Sequence, residues 1–345
     1  MLSIPAPTPV HHHAAPEHEP PAALRAAGIV TVLTIAIAIV AIAFALPASR
    51  SKPHDVPIGA AGPQAATSQI AQTLEEQAPG AFAVTYYPGE QALREAILNR
   101  NVYGGIAFGP QGPILLMATG GSPAVAQLLT QIGNGIAAKT GAPLRTEDLA
   151  PPTTQDPRGT GLAASALPIT LAGMLPAVAL VLVLRREVWT RLIATLVFCV
   201  VAGITIAALL RYAFGSIDSN FWGVAAGLTL GIAAAGVFML GLGSLLGKVG
   251  LGVGAALALL LGNPLSGLTA APEMLPAGWG QLGQLLPQGA NATLLRSTAY
   301  FGGAGADTAI LVLSCWALAG LFLVIIAALR RPGRTTPKMQ LRGTR

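Results

Sequence analysis

The run Ala26–Leu46 carries no charge over 21 residues, bounded by Arg25 and Pro47. A helix of that length matches a hydrocarbon core of about 30 Å, which takes about 20 apolar residues to cross. It exceeds the apolar core of an ordinary leader and lacks its basic start, so it is expected to stay as an anchor. Similar runs recur at 163–184, 192–210, 221–246, 249–268 and 308–329. Pro168 and Pro176 in the second run are tolerable where neighbouring helices satisfy the freed backbone. Across 345 residues, 53% are hydrophobic and 10% charged, against about 25% charged in soluble domains. The expected fold class is an α-helical polytopic membrane protein with six transmembrane helices.

The net charge of +6 does not mark a nucleic-acid surface, because six of the twenty Lys and Arg crowd into residues 330–345, beside the last run. Lys and Arg gather on the cytoplasmic side of membrane proteins. Arg185, Arg186 and Arg191, then Lys248, then the 330–345 tail fall on one side if six spans place both termini inside. The plasma membrane is the expected location. Trp189, Trp222 and Trp279 fall near expected interfaces, where indoles prefer to sit. Cys199 and Cys315 lie in apolar runs and read as small hydrophobes. His11, His12 and His13 read as part of a disordered cytoplasmic tail, 1–25, rather than as a metal site.

Residues 47–162 are then extracytoplasmic. "AFAVTYYP" (81–88), "NVYGGIAF" (101–108) and "GPILLMAT" (112–119) read as strands; "GEQALREAILNR" and "SPAVAQLLTQIGNGIAAK" read as helices. The order β-α-β-β-α predicts a small α/β module between Pro-rich linkers. Glu75, Glu76, Glu90 and Glu95 lack any His or Ser at catalytic spacing and read as solvated surface. No catalytic, cofactor or metal residue is assigned, and the chain is not expected to be an enzyme.

"GLGSLLGK" (241–248) fails the phosphate-loop pattern at Leu242 and Val249. The runs hold no Asp, Glu or His at mid-depth, which ion-coupled carriers keep for function. Gly223, Gly227 and Gly231, four apart, form a small face on which another helix can approach closely. Between the last two runs, "EMLPAGWGQLGQLLPQGANATLLRSTAYFGG" is too polar to span and too apolar for an ordinary solvated loop. Two amphipathic pieces around a Pro-Gly break suggest a hairpin near 271–306 that dips into the outer leaflet, against the alternative of a helix pair lying on the surface. Arg296 there reads as an interface anchor, snorkelling to lipid phosphates or pairing with Glu273 or Asp307. It could also draw an anionic headgroup or substrate toward the exit; if the hairpin is a gate, Arg296→Leu leaves insertion and abundance near normal while reducing export.

The stretches "YYPGEQALREAILNRNVYGGIAF", "LTQIGNGIA" and "GNPLSGLTAAPEMLPAGWGQLGQLLPQGANATLLRSTAYFGGAG", in this order of spans, resemble type-2 ABC exporter permeases, in the phage-infection-protein-like branch. The resemblance implies a permease subunit of an ATP-driven exporter for a hydrophobic or amphipathic substrate. It also implies a homodimer or heterodimer of permeases in membrane lipid, with ATP bound on a separate cytoplasmic ABC ATPase subunit. The amphipathic helix expected before the first span is missing from residues 1–24. Arg185, Arg186, Glu187 and Arg191 form the candidate coupling loop, and Trp279, Pro287, Gly289, Arg296 and Tyr300 the candidate external gate hairpin. The other reading is a non-transporting envelope protein whose external domain binds a partner or acts as a surface receptor.

Overall fold

A computed structural model describes residues 21–109, 112–140, 144–184, 187–268 and 270–330. The His11–His13 run, Arg185, Arg186 and the basic tail beyond Arg330 lie outside the described residues. The chain divides into two compact units, the break falling after Ile42. Helix α1 (Ala22–Ser49) is apolar along its length, with Arg25 in its first turn.

The second unit begins with an α/β domain: β1 (Val56–Ala61), α2 (Gln64–Gln77), β2 (Phe82–Tyr87), α3 (Glu90–Leu98), β3 (Gly104–Gly109), β4 (Gly112–Met117), α4 (Pro123–Thr140) and β5 (Arg145–Asp148). The sheet order is β2-β1-β3-β4-β5. Strand β1 is parallel to β2 and β3, β3–β4 is an antiparallel hairpin, and β4–β5 is parallel again. Helix α3 buries Leu93 and Ile97 on one face, while α2 and α4 bury Ile70, Leu74, Val125 and Leu129 on the other.

The expected β-α-β-β-α module is therefore incomplete. It omits the interior strand β1, which lies in a stretch read as extended linker, helix α2 after it, and β5, which lies in the second linker. Strand β1 escapes because it is covered on both faces and so shows no alternation. Glycines meet where β1 pairs with β3 for a reason: a Cβ at Gly105 would lie 2.0 Å from the Gly59 carbonyl oxygen, and one at Gly59 would strike Leu93. Glu90 is not simply solvated. With Glu147 it flanks Arg94 at 2.7 and 2.6 Å, tying α3 to β5.

A linker leads into the helical part: α5 (Thr160–Ala164), α6 (Ala166–Val183), α7 (Val188–Ala208, with a π-helical extension to Ala213), α8 (Phe221–Leu246), α9 (Lys248–Ala256, with a π-helical extension to Gly262), α10 (Trp279–Gln284), α11 (Pro287–Tyr300) and α12 (Asp307–Leu329). Helix α8 is the hub, packed against α6, α7, α11 and α12. Gly320 of α12 lies so close that a Cβ there would meet the Phe238 backbone nitrogen at 2.4 Å.

Among the described residues, five helices are long and apolar enough to cross a membrane: α1, α5–α6, α7, α8 and α12. The fifth expected span, 249–268, is not a sixth such helix. Lys248–Gly262 is about 22 Å long at 1.5 Å per residue, short of a core of about 30 Å. Asn263 and Pro264 end it, since proline supplies no N–H and clashes with the preceding turn. Apolarity alone counted these residues as helix; the backbone beyond Gly262 is irregular.

Asp156 fixes the linker to the helical part. Its carboxylate accepts the Thr160 and Gly161 N–H groups at 2.9 and 2.8 Å, and the Thr160 and Ser216 hydroxyls at 2.9 and 2.7 Å. Burial works to raise the carboxyl pKa, but these donors outweigh it, beginning with the Gly161 N–H, and hold it below the usual carboxylate range. A group depressed on folding stabilises above its unfolded pKa and loses that stabilisation as pH falls through the folded value. Asp156→Ala is expected to cost about 1–2 kcal/mol at neutral pH, as lost helix caps do. Thermal unfolding of parent and variant should converge below about pH 4; an equal gap at pH 3 and pH 7 would show that the carboxylate is not the source.

Candidate functional site: a cavity between the α/β domain and an inserted hairpin

Residues 263–306 leave α9, turn back through α10, and return as α11. Helix α11 is polar by composition, yet Pro287, Gly289, Ala290, Asn291, Ala292 and every residue from Leu294 to Ala299 are buried. A helix lying on a surface would leave one face open; α11 does not. It packs along α8, where a Cβ at Gly227 would contact Leu294 and one at Gly231 would overlap the Asn291 carboxamide. Gly223 instead faces Asn220, whose Nδ2 donates to the Thr298 carbonyl at 2.8 Å. The turn into α11 is held from α12, where Trp316 Nε1 donates to the Leu285 carbonyl at 2.8 Å. Trp316 lies about 14 Å along α12 from Asp307 at the ordinary helical rise. Gly289 permits the tight turn, because a Cβ there would sit 2.1 Å from the Gly283 oxygen.

Arg296 is 5% exposed. Its Nη1 and Nη2 donate to the Gly267 and Leu268 carbonyls at 2.7 and 2.6 Å. It neither snorkels nor pairs with Glu273 or Asp307. The guanidinium holds the irregular backbone that follows α9. Glu273 instead accepts the Tyr103 hydroxyl at 2.8 Å. Burial first, then Glu273 beside it, holds the Tyr103 phenol above its usual range, so it donates at neutral pH.

The hairpin grips the α/β domain from two sides. Ala271 and Met274 pack with the cluster under α2 and α4; Tyr300 and Phe301 pack with the α3 cluster. The Lys52 and His54 N–H groups donate to the Met274 and Glu273 carbonyls at 3.0 and 2.9 Å. Tyr300 touches Gly120 and donates to the Ser216 carbonyl at 3.3 Å. Arg100, in the left-handed region at φ +61°, donates to the Thr293 carbonyl at 3.0 Å and to the Ser297 hydroxyl, with its guanidinium 5.3 Å from the Phe301 ring centre. Such a backbone is uncommon for a side chain other than Gly, Asn or Asp.

Between these contacts lies a cavity of about 540 Å³, walled by Arg100 and Tyr103 from the α/β domain, Glu273, Leu275 and Gln284 from the hairpin arm, and Arg296 from α11. Its size is that of a small-molecule site, and it mixes apolar walls with a few polar groups as such sites do. Trp279 stands half-buried at the start of α10, and Pro287 is buried at the start of α11. The hairpin residues thus occupy three places: the turn (Pro287, Gly289), the cavity wall (Arg296) and the domain contact (Tyr300).

The coupling loop reads differently. Of its four residues, Arg185 and Arg186 lie outside the described residues, and Glu187 is exposed beside α7. Arg191 is 1% exposed, which removes it from any docking surface. Sequence reasoning missed Arg100 and Tyr103 altogether. No spacing rule links residue 100 to 293–297, and the only local sign is an arginine ending a helix where glycine is usual.

The fold and these spans define the class: a polytopic membrane protein with several apolar helices and an α/β sheet domain after the first. No family model, curated protein or solved structure matches the chain.

Replacing Arg296 with Leu would leave the Gly267 and Leu268 carbonyls buried without donors, at about 1–3 kcal/mol each. The abundance of Arg296→Leu in membranes, and its thermal midpoint in detergent, should therefore fall clearly, against the near-normal level expected if the arginine serves only the gate. Arg296→Lys should recover part of the loss. Arg211→Leu, at a partly exposed arginine bonded to the Asp218 carbonyl, should stay close to parent; equal behaviour of the Arg296 and Arg211 variants would refute the clamp.

Proposed function

We propose that the chain is the permease subunit of an ATP-driven exporter, moving a hydrophobic or amphipathic substrate across the plasma membrane. It works with a cytoplasmic ATPase that carries the ATP, and as a homodimer or heterodimer of permeases. The observation that carries this reading is the α10–α11 hairpin, which is sunk into the helical bundle and gripped by the α/β domain around one cavity. A substrate leaving the bilayer needs a protein-lined route, and irregular backbone at membrane depth persists only against protein or water. A rigid domain holding the hairpin at both ends supplies a lever on that route.

In this reading α9 and the irregular backbone from Asn263 to Leu268 contribute to the remaining crossing, so the chain crosses six times with both termini inside. Asn101 is exposed on the α/β domain. In a background lacking Cys199 and Cys315, a cysteine at 101 should label from outside intact cells. One at 340 should label only after permeabilisation; labelling of 340 in intact cells breaks the six-crossing arrangement.

Energy supply is tested by affinity purification of the tagged full chain in mild detergent. A nucleotide-binding ATPase should co-purify, and the chain stripped of it should neither bind nor turn over ATP. Efflux of a lipid-analogue dye should require both. A chain that purifies without any ATPase, while its α/β domain captures a ligand, would favour the envelope-receptor reading instead.

A further inference from the structure

Arg100 and Arg296 both line the cavity, one from each side. Neither forms an ion pair with a described carboxylate. Their hydrogen bonds end on carbonyl oxygens and one hydroxyl, which satisfy donors without cancelling charge. A guanidinium has five N–H donors. Each arginine spends two of them, so three on each have no acceptor among the described residues. The one partly buried carboxylate on the wall, Glu273, is engaged by the Tyr103 hydroxyl. Asp55 also lines the cavity, at an exposed position; away from that rim, two guanidiniums face one carboxylate, so the inner wall carries an excess of positive charge. Burying charge without a counter-charge is costly, and such a residue is kept where it serves a site.

The wall beside these donors is apolar: Val102, Pro272, Leu275, Pro276 and Phe301 line the same space. We infer that the cavity binds an amphiphile with an anionic phosphate-type headgroup, the phosphate lying between Arg100 and Arg296 and the apolar body along the Leu275–Pro276 arm. Guanidinium forks match phosphate oxygens with charge-assisted bonds. The anion supplies the charge that the protein withholds. That this amphiphile is the exported substrate rests on the permease reading; its binding does not.

The test uses the purified full chain in neutral detergent without any ATPase. Three probes are titrated by thermophoresis and thermal shift: dihexanoyl phosphatidic acid, dihexanoyl phosphatidylcholine and inorganic phosphate. Phosphatidic acid should bind saturably, and phosphatidylcholine about tenfold or more weakly. Competition by inorganic phosphate would identify the headgroup alone as sufficient; its failure to compete would identify the lipid form as the ligand. Arg100→Asn, which tolerates the left-handed backbone, should weaken phosphatidic acid binding about tenfold. Ala277→Trp, an exposed rim position, should block it while leaving both arginines in place. Equal binding of both lipids, no saturable binding by a chain that unfolds cooperatively, or full binding by folded Arg100→Asn each overturns the site. Because no ATPase is present, a failure here leaves the permease reading to the co-purification, and loss of the partner leaves the site intact.

Discussion

Peptide groups that leave a helix among apolar side chains must find partners within the protein, and the Arg296 clamp meets that demand where α9 ends. Two carbonyls of the irregular segment close on one guanidinium. Nearby, the Thr170 hydroxyl lies 2.9 Å from the side-chain oxygen of Asn263, the residue that follows α9. With these bonds in place α9 can stop at Gly262, and the space a sixth full helix would fill is taken by α10 and α11. The hairpin is thus a consequence of a broken span, and the broken span depends on an arginine supplied by the hairpin itself.

That mutual dependence explains why α11 resists reading by hydropathy. It is buried like a core helix, but its partners are the glycine face of α8 and the ends of neighbouring helices rather than lipid. Small residues at Gly227 and Gly231 let it approach closely, and polar groups such as Asn291 and Thr298 are tolerated because protein surrounds them. The same helix reaches the α/β domain through Arg100, which ends α3. A displacement of that domain would therefore be felt at Thr293 and Ser297, one turn or less from Arg296 along α11.

What the sequence made legible follows a physical divide. Elements defined by a period or a length were readable: the five long apolar helices, the strands at 82–87 and 112–117, and the helices α3 and α4. Strand β1 was not, because a strand covered on both faces shows no alternation, and its second half is only Gly and Ala. Span five misled because hydropathy averages over Asn263 and Pro264. The hairpin was legible as an anomaly, too apolar for solvent and too polar for lipid. Its partners were not, since Tyr103–Glu273 and Arg100–Ser297 join residues 170 and 197 positions apart. Arg296 stands out in the sequence as a lone charge, but burial, which separates an interface anchor from a backbone clamp, cannot be read from one position.

The charge balance of the cavity separates structural from functional need. Arg94 illustrates the structural case: it is partly exposed and meets two carboxylates, each within ion-pair distance. Arg296 could hold its two carbonyls with a neutral donor, at far smaller desolvation cost, if holding backbone were its whole task. Arg100 could likewise be replaced by a shorter polar residue at a left-handed position that Asn or Gly occupies more easily. Two long cations in place of cheaper alternatives, both lining one cavity, make sense when an anion completes the set. The same charges that bind such a ligand also clamp the hairpin to the domain and to α9. Ligand entry and hairpin position are then read by one pair of side chains, so occupancy and the geometry of the route are coupled through Arg100 and Arg296.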